Sequence, residues 1–194
     1  MTTARPSGRP YLLTLLVWLA VAVALGASGQ LLALHPPVPQ LVLGGLTAAV
    51  ILAAVVGRPF RTWLFGLGYR QLVAFHLTRF VGVYFLVLYA RGELPWAFAV
   101  PGGWGDIGVA AWALALVLLV PRLEARPGVV GVWNAVGLLD ILFVAFTATR
   151  LALANPDSMS ALLRLPLSLL PTFLVPLIIA THVIVFWRLW VERP

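Results

Sequence analysis

Five polar side chains stand inside otherwise apolar stretches: His76, Arg79, Asn134, Asp140 and His182. Ionisable groups in hydrocarbon are expensive unless paired, so they are candidate functional positions. Several chemistries suit these residue types. His76 and His182 are candidate axial ligands of one b-type haem, with Arg70 or Arg79 meeting the propionates. Either imidazole could act as general base, oriented by Asp140, in an enzyme working on a lipid or quinone. Arg79 and Asp140 carry the opposite charges of an intramembrane ion pair, as expected at a ligand or transport site. The alternative is structural: an ion pair and interhelical hydrogen bonds, Asn134 included, that only fix helix register. As ligands of a bare metal ion, two His and one distant Asp form a thin set.

The elements that must hold these residues are membrane helices. Of the 194 residues, 62% are hydrophobic and 10% charged, with a mean hydropathy of +1.02. A soluble domain carries about 25% charged residues. Cysteine is absent. That excludes disulfides, thiolate-ligated iron–sulfur clusters, covalently attached c-type haem, thiol nucleophiles and zinc ribbons. The net charge is +7 and all 13 basic residues are Arg. They lie singly or in pairs between apolar runs, a pattern of lipid-facing loops rather than of a nucleic-acid surface. No phosphate loop, nucleophile elbow, paired acidic dyad or HExxH motif occurs.

A helical span needs about 20 apolar residues. The pattern predicts an all-α, polytopic transmembrane bundle forming a single integral membrane domain over 1–194. Six spans fall at about 11–34, 41–57, 71–90, 107–120, 129–149 and 165–190. The first run, with Arg5 and Arg9 before it and Gly26-Ala27-Ser28-Gly29 near its end, also has features of a signal peptide. Its continuation to Leu34 favours an uncleaved span. Arg58–Arg70, with Trp63 and Tyr69, reads as an interfacial segment. The stretch from Arg91 to Asp106, rich in Gly, Pro and Trp, reads as the longest external loop. Trp96 and Trp104 would belong to an aromatic belt, and Glu93 and Asp106 would cap or solvate that loop. In the last span Pro171 and Pro176 would each free a carbonyl, on Leu167 and Thr172, and kink the helix.

Arginines partition unevenly between the two sides. Arg5, Arg9, Arg58, Arg61, Arg70, Arg122, Arg126, Arg188 and Arg193 fall on one side, and Arg91, Arg150 and Arg164 on the other. The positive-inside rule then puts both termini in the cytoplasm. His76, Asn134 and His182 each lie six residues from a cytoplasmic marker (Arg70, Gly128 and Arg188). At 1.5 Å per residue all three sit roughly 9 Å deep, with Arg79 at about 14 Å and Asp140 at about 18 Å. His76 and Arg79 share a face, as do Trp133, Gly137 and Asp140. A polar pocket opening from the cytoplasmic half is the expectation.

Four short patterns recur around these positions: His76-x-x-Arg79, Gly103-Trp104-Gly105-Asp106, Trp133-Asn134-x-x-Gly137 and Pro171-x4-Pro176-x5-His182. Together they resemble a family of small, uncharacterised, multi-pass bacterial membrane proteins, over about Gln71 to the end. The resemblance implies that these polar positions belong together, and the expected location is a bacterial cytoplasmic (inner) membrane. It implies no activity. The favoured function is small-ligand binding or transport, with His76, Arg79, Asn134, Asp140 and His182 around the ligand and the Trp104/Asp106 loop as an outer lid. The haem module, the membrane enzyme and the structural role are the alternatives.

Overall fold

Backbone polar groups in a bilayer must be satisfied within the chain, so an apolar sequence of this length folds as helices. The computed structural model describes residues 8–192, and these are helical with no strand among them. Arg5 and Arg193 lie outside the described residues. The helices are α1 (Arg9–Ala27), α2 (Val38–Val56), α3 (Arg58–Gly66), α4 (Tyr69–Phe75), α5 (Gly82–Ala90), α6 (Trp96–Leu119), α7 (Pro127–Ala154) and α8 (Val175–Val191). A 3-10 turn, His76–Val81, joins α4 to α5, and one π-helical turn, Leu170–Leu174, leads into α8. Six helical stretches are long and apolar enough to cross a membrane: α1, α2, 69–90, α6, α7 and 170–191.

Several expected boundaries move. The first span stops at Ala27, and Gly29 takes a positive φ of 72° that breaks the helix before a 3-10 turn at Gln30–Ala33. The fourth span begins at Trp96, well before the expected 107, so Gly103-Trp104-Gly105-Asp106 is helix and not loop. Pro95 provides the start in extended conformation, and Pro101 sits within the first turns of α6. Gly and Pro signal loops in soluble chains, but membrane helices tolerate both. The last span begins at Leu170 rather than 165, because Pro156–Leu163 forms its own 3-10 segment.

The expected orphan carbonyls of the last span are both satisfied. Leu167 O accepts from Leu170 N at 2.9 Å. Thr172 O, freed by Pro176, accepts from Trp18 Nε1 of α1 at 2.8 Å. The break in α8 thus anchors α1.

One end of the bundle is an arginine–aromatic layer, as expected for the 58–70 segment. Arg61 donates to Val55 O at the end of α2 (2.8 Å), and Arg188 to Leu67 O after α3 (2.5 Å). Arg70 caps the end of α6, donating to Val120 O (2.8 Å), Pro121 O (3.1 Å) and Val117 O. Helix ends leave carbonyls without partners, and guanidinium groups supply donors while complementing the negative end of the dipole. Arg188 also lies over the Tyr69 ring at 4.3 Å, and Tyr11 packs on Phe60 and Trp63. The opposite end carries the 28–37, 91–95 and 155–169 connections. Burial is uneven: 56% of the last span lies inside the bundle, against 11% for each of α1 and α2.

Candidate functional site

The 3-10 turn His76–Val81 brings residues three apart onto one line, so His76 and Arg79 both enter the core, where neither is exposed. Two glycines let this turn approach α6. A Cβ on Gly103 would lie 2.8 Å from Gly82 O, so the α5 and α6 backbones touch there. Close crossing at small residues is a general device of membrane bundles.

Arg79 is held by three groups on two helices. Its Nε donates to Asp106 Oδ1 on α6 at 2.6 Å, its Nη1 to Gly137 O on α7 at 2.8 Å, and its Nη2 to Asp140 Oδ2 on α7. The expected Arg79–Asp140 pair is present, joined by a second carboxylate whose neighbours in the sequence suggest an external loop. Asp106 is 3% exposed. Its Oδ2 has no donor among the described residues. With both carboxylates ionised, the trio carries one net negative charge.

The histidines meet beside it. The His76 and His182 ring centroids are 4.2 Å apart, both rings are buried, and Trp133 lies edge-on to His76 at 5.0 Å. Asn134 grips His182 twice, its Oδ1 accepting from Nδ1 at 2.8 Å and its Nδ2 donating to the His182 carbonyl at 3.0 Å. That pairing makes Nδ1 the protonated nitrogen and leaves Nε2 a bare acceptor without a partner. Thr181 Oγ1 lies 2.9 Å from the Leu177 and Ile178 carbonyls and 3.1 Å from His76 Nε2; with its proton on the carbonyls it accepts from Nε2. In that tautomer His76 Nδ1 is a second imidazole acceptor with no partner. Gly137 makes room for this arrangement, since a Cβ there would sit 2.6 Å from His182 Cε1.

The expected residues therefore come together as two neighbouring clusters, Arg79 and Asp140 with Asp106, and His76, Asn134 and His182 with Trp133, all buried except the partly buried Asp140. Trp104 does not join it; its ring faces outward, 63% exposed. The rings do not fit the haem expectation. Imidazole nitrogens bind a metal at about 2 Å, so two rings on opposite faces of a porphyrin have centres roughly 6 Å apart. At 4.2 Å no macrocycle passes between His76 and His182. No group of three or more His, Asp or Glu among the described residues is arranged to hold a metal ion.

The expected opening also differs. Neither histidine lines either of two cavities found in the bundle. One, of about 140 Å³, lies among α2, α6, α7 and the 156–175 segment, with Pro36, Pro156 and Met159 at its mouth and Phe85, Ile141 and Asp106 at its depth. It therefore opens toward the end opposite the arginine layer. The histidine side is closed because Trp133, Val73 and Val185 pack there without exposure. A second cavity, of about 380 Å³, lies between α1 and α2.

A family model described as a domain of unknown function (DUF8737) matches residues 36–190. The chain belongs to this family. The match spans α2 through α8 and so contains the whole polar network, while α1 precedes it. No curated protein and no solved structure matched.

Sequence reasoning missed two contributors, Trp18 and Thr181, and put a third, Asp106, on an outer loop because of its Gly and Pro neighbours. Trp18 had a usable signal, since the carbonyl freed by Pro176 needed a donor. Thr181 sits next to His182 and gave no signal of its own.

Proposed function

We propose that this DUF8737 chain binds a small amphiphilic ligand within the membrane and serves its movement through the bilayer. One observation carries the reading: Asp106 belongs both to the buried charge network and to the lining of a mostly apolar cavity, to which Gln40 and Thr149 add the other polar side chains. Ligand sites are typically apolar concavities with a few placed polar groups. A buried ionisable residue facing a cavity in a membrane span is a functional position by default. At roughly 10–15 Å³ for each water-sized group, the space takes a ligand of about ten non-hydrogen atoms. The test is calorimetric titration of butylamine into the purified protein and its Ala148→Phe variant, which fills the cavity. Saturable binding lost in the variant supports the reading; absence of saturable binding to the parent protein refutes it.

A second reading rests on the two unpartnered imidazole nitrogens. Each ring has a nitrogen free to accept a proton, and the cost of charging it in a dry core beside Arg79 would be offset by the carboxylates of Asp106 and Asp140. The pair would then couple a proton to the ligand, or act as the general base of a membrane enzyme. Histidine ¹⁵N spectra over a pH series test it: neutral tautomers unchanged from about pH 5 to pH 8, the range in which histidine ordinarily changes charge, would remove it.

The same reading places the chain in a bacterial inner membrane with both termini in the cytoplasm. Support comes from the arginines: Arg9, Arg58, Arg61, Arg70, Arg122, Arg126 and Arg188 gather at one end, and Arg91, Arg150 and Arg164 at the other.

A further inference from the structure

The two cavities share four lining residues, Leu34, Pro39, Leu163 and Pro171. The two spaces therefore adjoin at these four side chains, hereafter the neck. The larger cavity is bounded by Trp18 and Val21 of α1 and by Val42 and Leu46 of α2. Its walls are not closed against the surroundings: Val21 is 51% exposed and Val42 37%. The reason is visible in the packing. α1 rests on the 30–33 turn and on the π-helical turn 170–174, to which Trp18 is bonded, rather than along α2. The two helices consequently diverge and leave a slot facing the hydrocarbon.

We infer that this slot is a lateral portal, and that the ligand of the Asp106 cavity is a single-chain cationic amphiphile, a long-chain amine, which enters from the bilayer. The inference rests on the proposed ligand-binding reading and names its substrate class. The two spaces differ in chemistry. The slot is lined by aliphatic side chains and rings with Gln30 at its edge, which suits an alkyl chain. The inner cavity is lined by Asp106, 3% exposed, whose Oδ2 lacks a donor and which, with Arg79 and Asp140, carries one negative charge in excess when both carboxylates are ionised. A protonated amine supplies both the missing donor and the missing charge. An anionic head would meet the carboxylate as a like charge, and an alcohol would supply a donor without the charge. The neck is made of two leucines and two prolines, so a chain passes it without any polar group to hold a head there. The tail then lies in the slot while the head reaches Asp106.

The test uses the full chain in nanodiscs and native mass spectrometry of the released protein, with dodecylamine, dodecanol and dodecanoate at equal mole fraction in the bilayer and butylamine added from water. Val42→Trp and Leu46→Trp fill the slot at positions that line it alone, away from the Asp106 cavity and the charge network. The expected result is dodecylamine retained at least tenfold over dodecanol and dodecanoate. Either slot variant should lower dodecylamine occupancy at least tenfold while leaving butylamine occupancy unchanged. Butylamine binding without dodecylamine binding overturns the portal and leaves the cavity reading standing. So does dodecylamine binding that is indifferent to both slot variants. Equal retention of amine, alcohol and acid overturns the cationic class. Binding of neither amine removes the cavity reading itself. If one slot variant fails to fold, the other and the head-group comparison in the parent protein still decide the outcome.

Discussion

Replacing Arg79 by Met should be the most damaging single change in the bundle. Met keeps much of the volume, so the effect is electrostatic. Arg79 is bonded to Asp106, Asp140 and Gly137 O, and it is not exposed to solvent. Without it, two carboxylates face each other with no cation among the described residues to offset them. Breaking a buried pair by removing one partner costs about 3–5 kcal/mol, because the remaining charge is stranded. For a chain of this size 1 kcal/mol shifts the melting midpoint by about 2–4 °C, so the loss should be roughly 6–20 °C. The assay is scanning fluorimetry in detergent, where the eight tryptophans give ample signal. Asp106→Leu alone leaves Arg79 paired with Asp140 and should cost less. The Arg79→Met/Asp106→Leu double variant should be more stable than the sum of the two singles, since it strands one carboxylate rather than two. A melting point for Arg79→Met within about 2 °C of the parent, less than the shift for a single kcal/mol, or strict additivity in the double variant, would refute the account of a dry, coupled trio.

Gly137→Ala places a methyl 2.6 Å from His182 Cε1, and overpacking of this kind costs about 1–3 kcal/mol; a lowered melting point with altered histidine ¹⁵N shifts checks it, whereas Gly45→Ala, with open space around it, should change neither. Trp18→Phe removes the donor to Thr172 O and should cost about 1–2 kcal/mol, read as a lower melting point and faster proteolysis between α1 and α2. Because the chain has no native cysteine, single-cysteine labelling reads topology directly. In intact cells an impermeant maleimide should label Glu93→Cys and Ser158→Cys but not Glu124→Cys, and the reverse pattern would invert the assigned orientation.

Much of this structure was legible in the residues because the bilayer restricts what they can do. Apolar runs of sufficient length had to be spans, and charges inside them had to find partners. Depth counting brought His76, Asn134 and His182 to one level, and they do meet. The exception is Gly103-Trp104-Gly105-Asp106, whose composition suggests a loop. On the helix, every one of these residues has a use. Gly103 touches the backbone of Gly82, Trp104 faces outward, Gly105 accommodates the Asp140 carboxylate, and Asp106 takes Arg79 Nε. The cavities were not legible, because they depend on how α1, α2 and the 156–175 segment pack, through contacts such as Trp18 Nε1 to Thr172 O.

A purely structural role for the polar network leaves two features without cause. Apolar replacements of buried ion clusters are often as stable as the clusters themselves, so register alone does not require a charged trio. A structural pair also tends toward neutrality, whereas Arg79, Asp106 and Asp140 hold one carboxylate more than they have cations. With both carboxylates ionised, the surplus lies beside a cavity that shares two leucines and two prolines of its lining with a slot between helices. An unbalanced charge at the end of an apolar path is the arrangement that a charged head with an apolar tail would complete. If the trio were only a brace, filling the cavity with Ala148→Phe should stabilise the protein and change nothing else. If it is a receptor, the same variant abolishes amine binding while the Arg79 bonds stay intact.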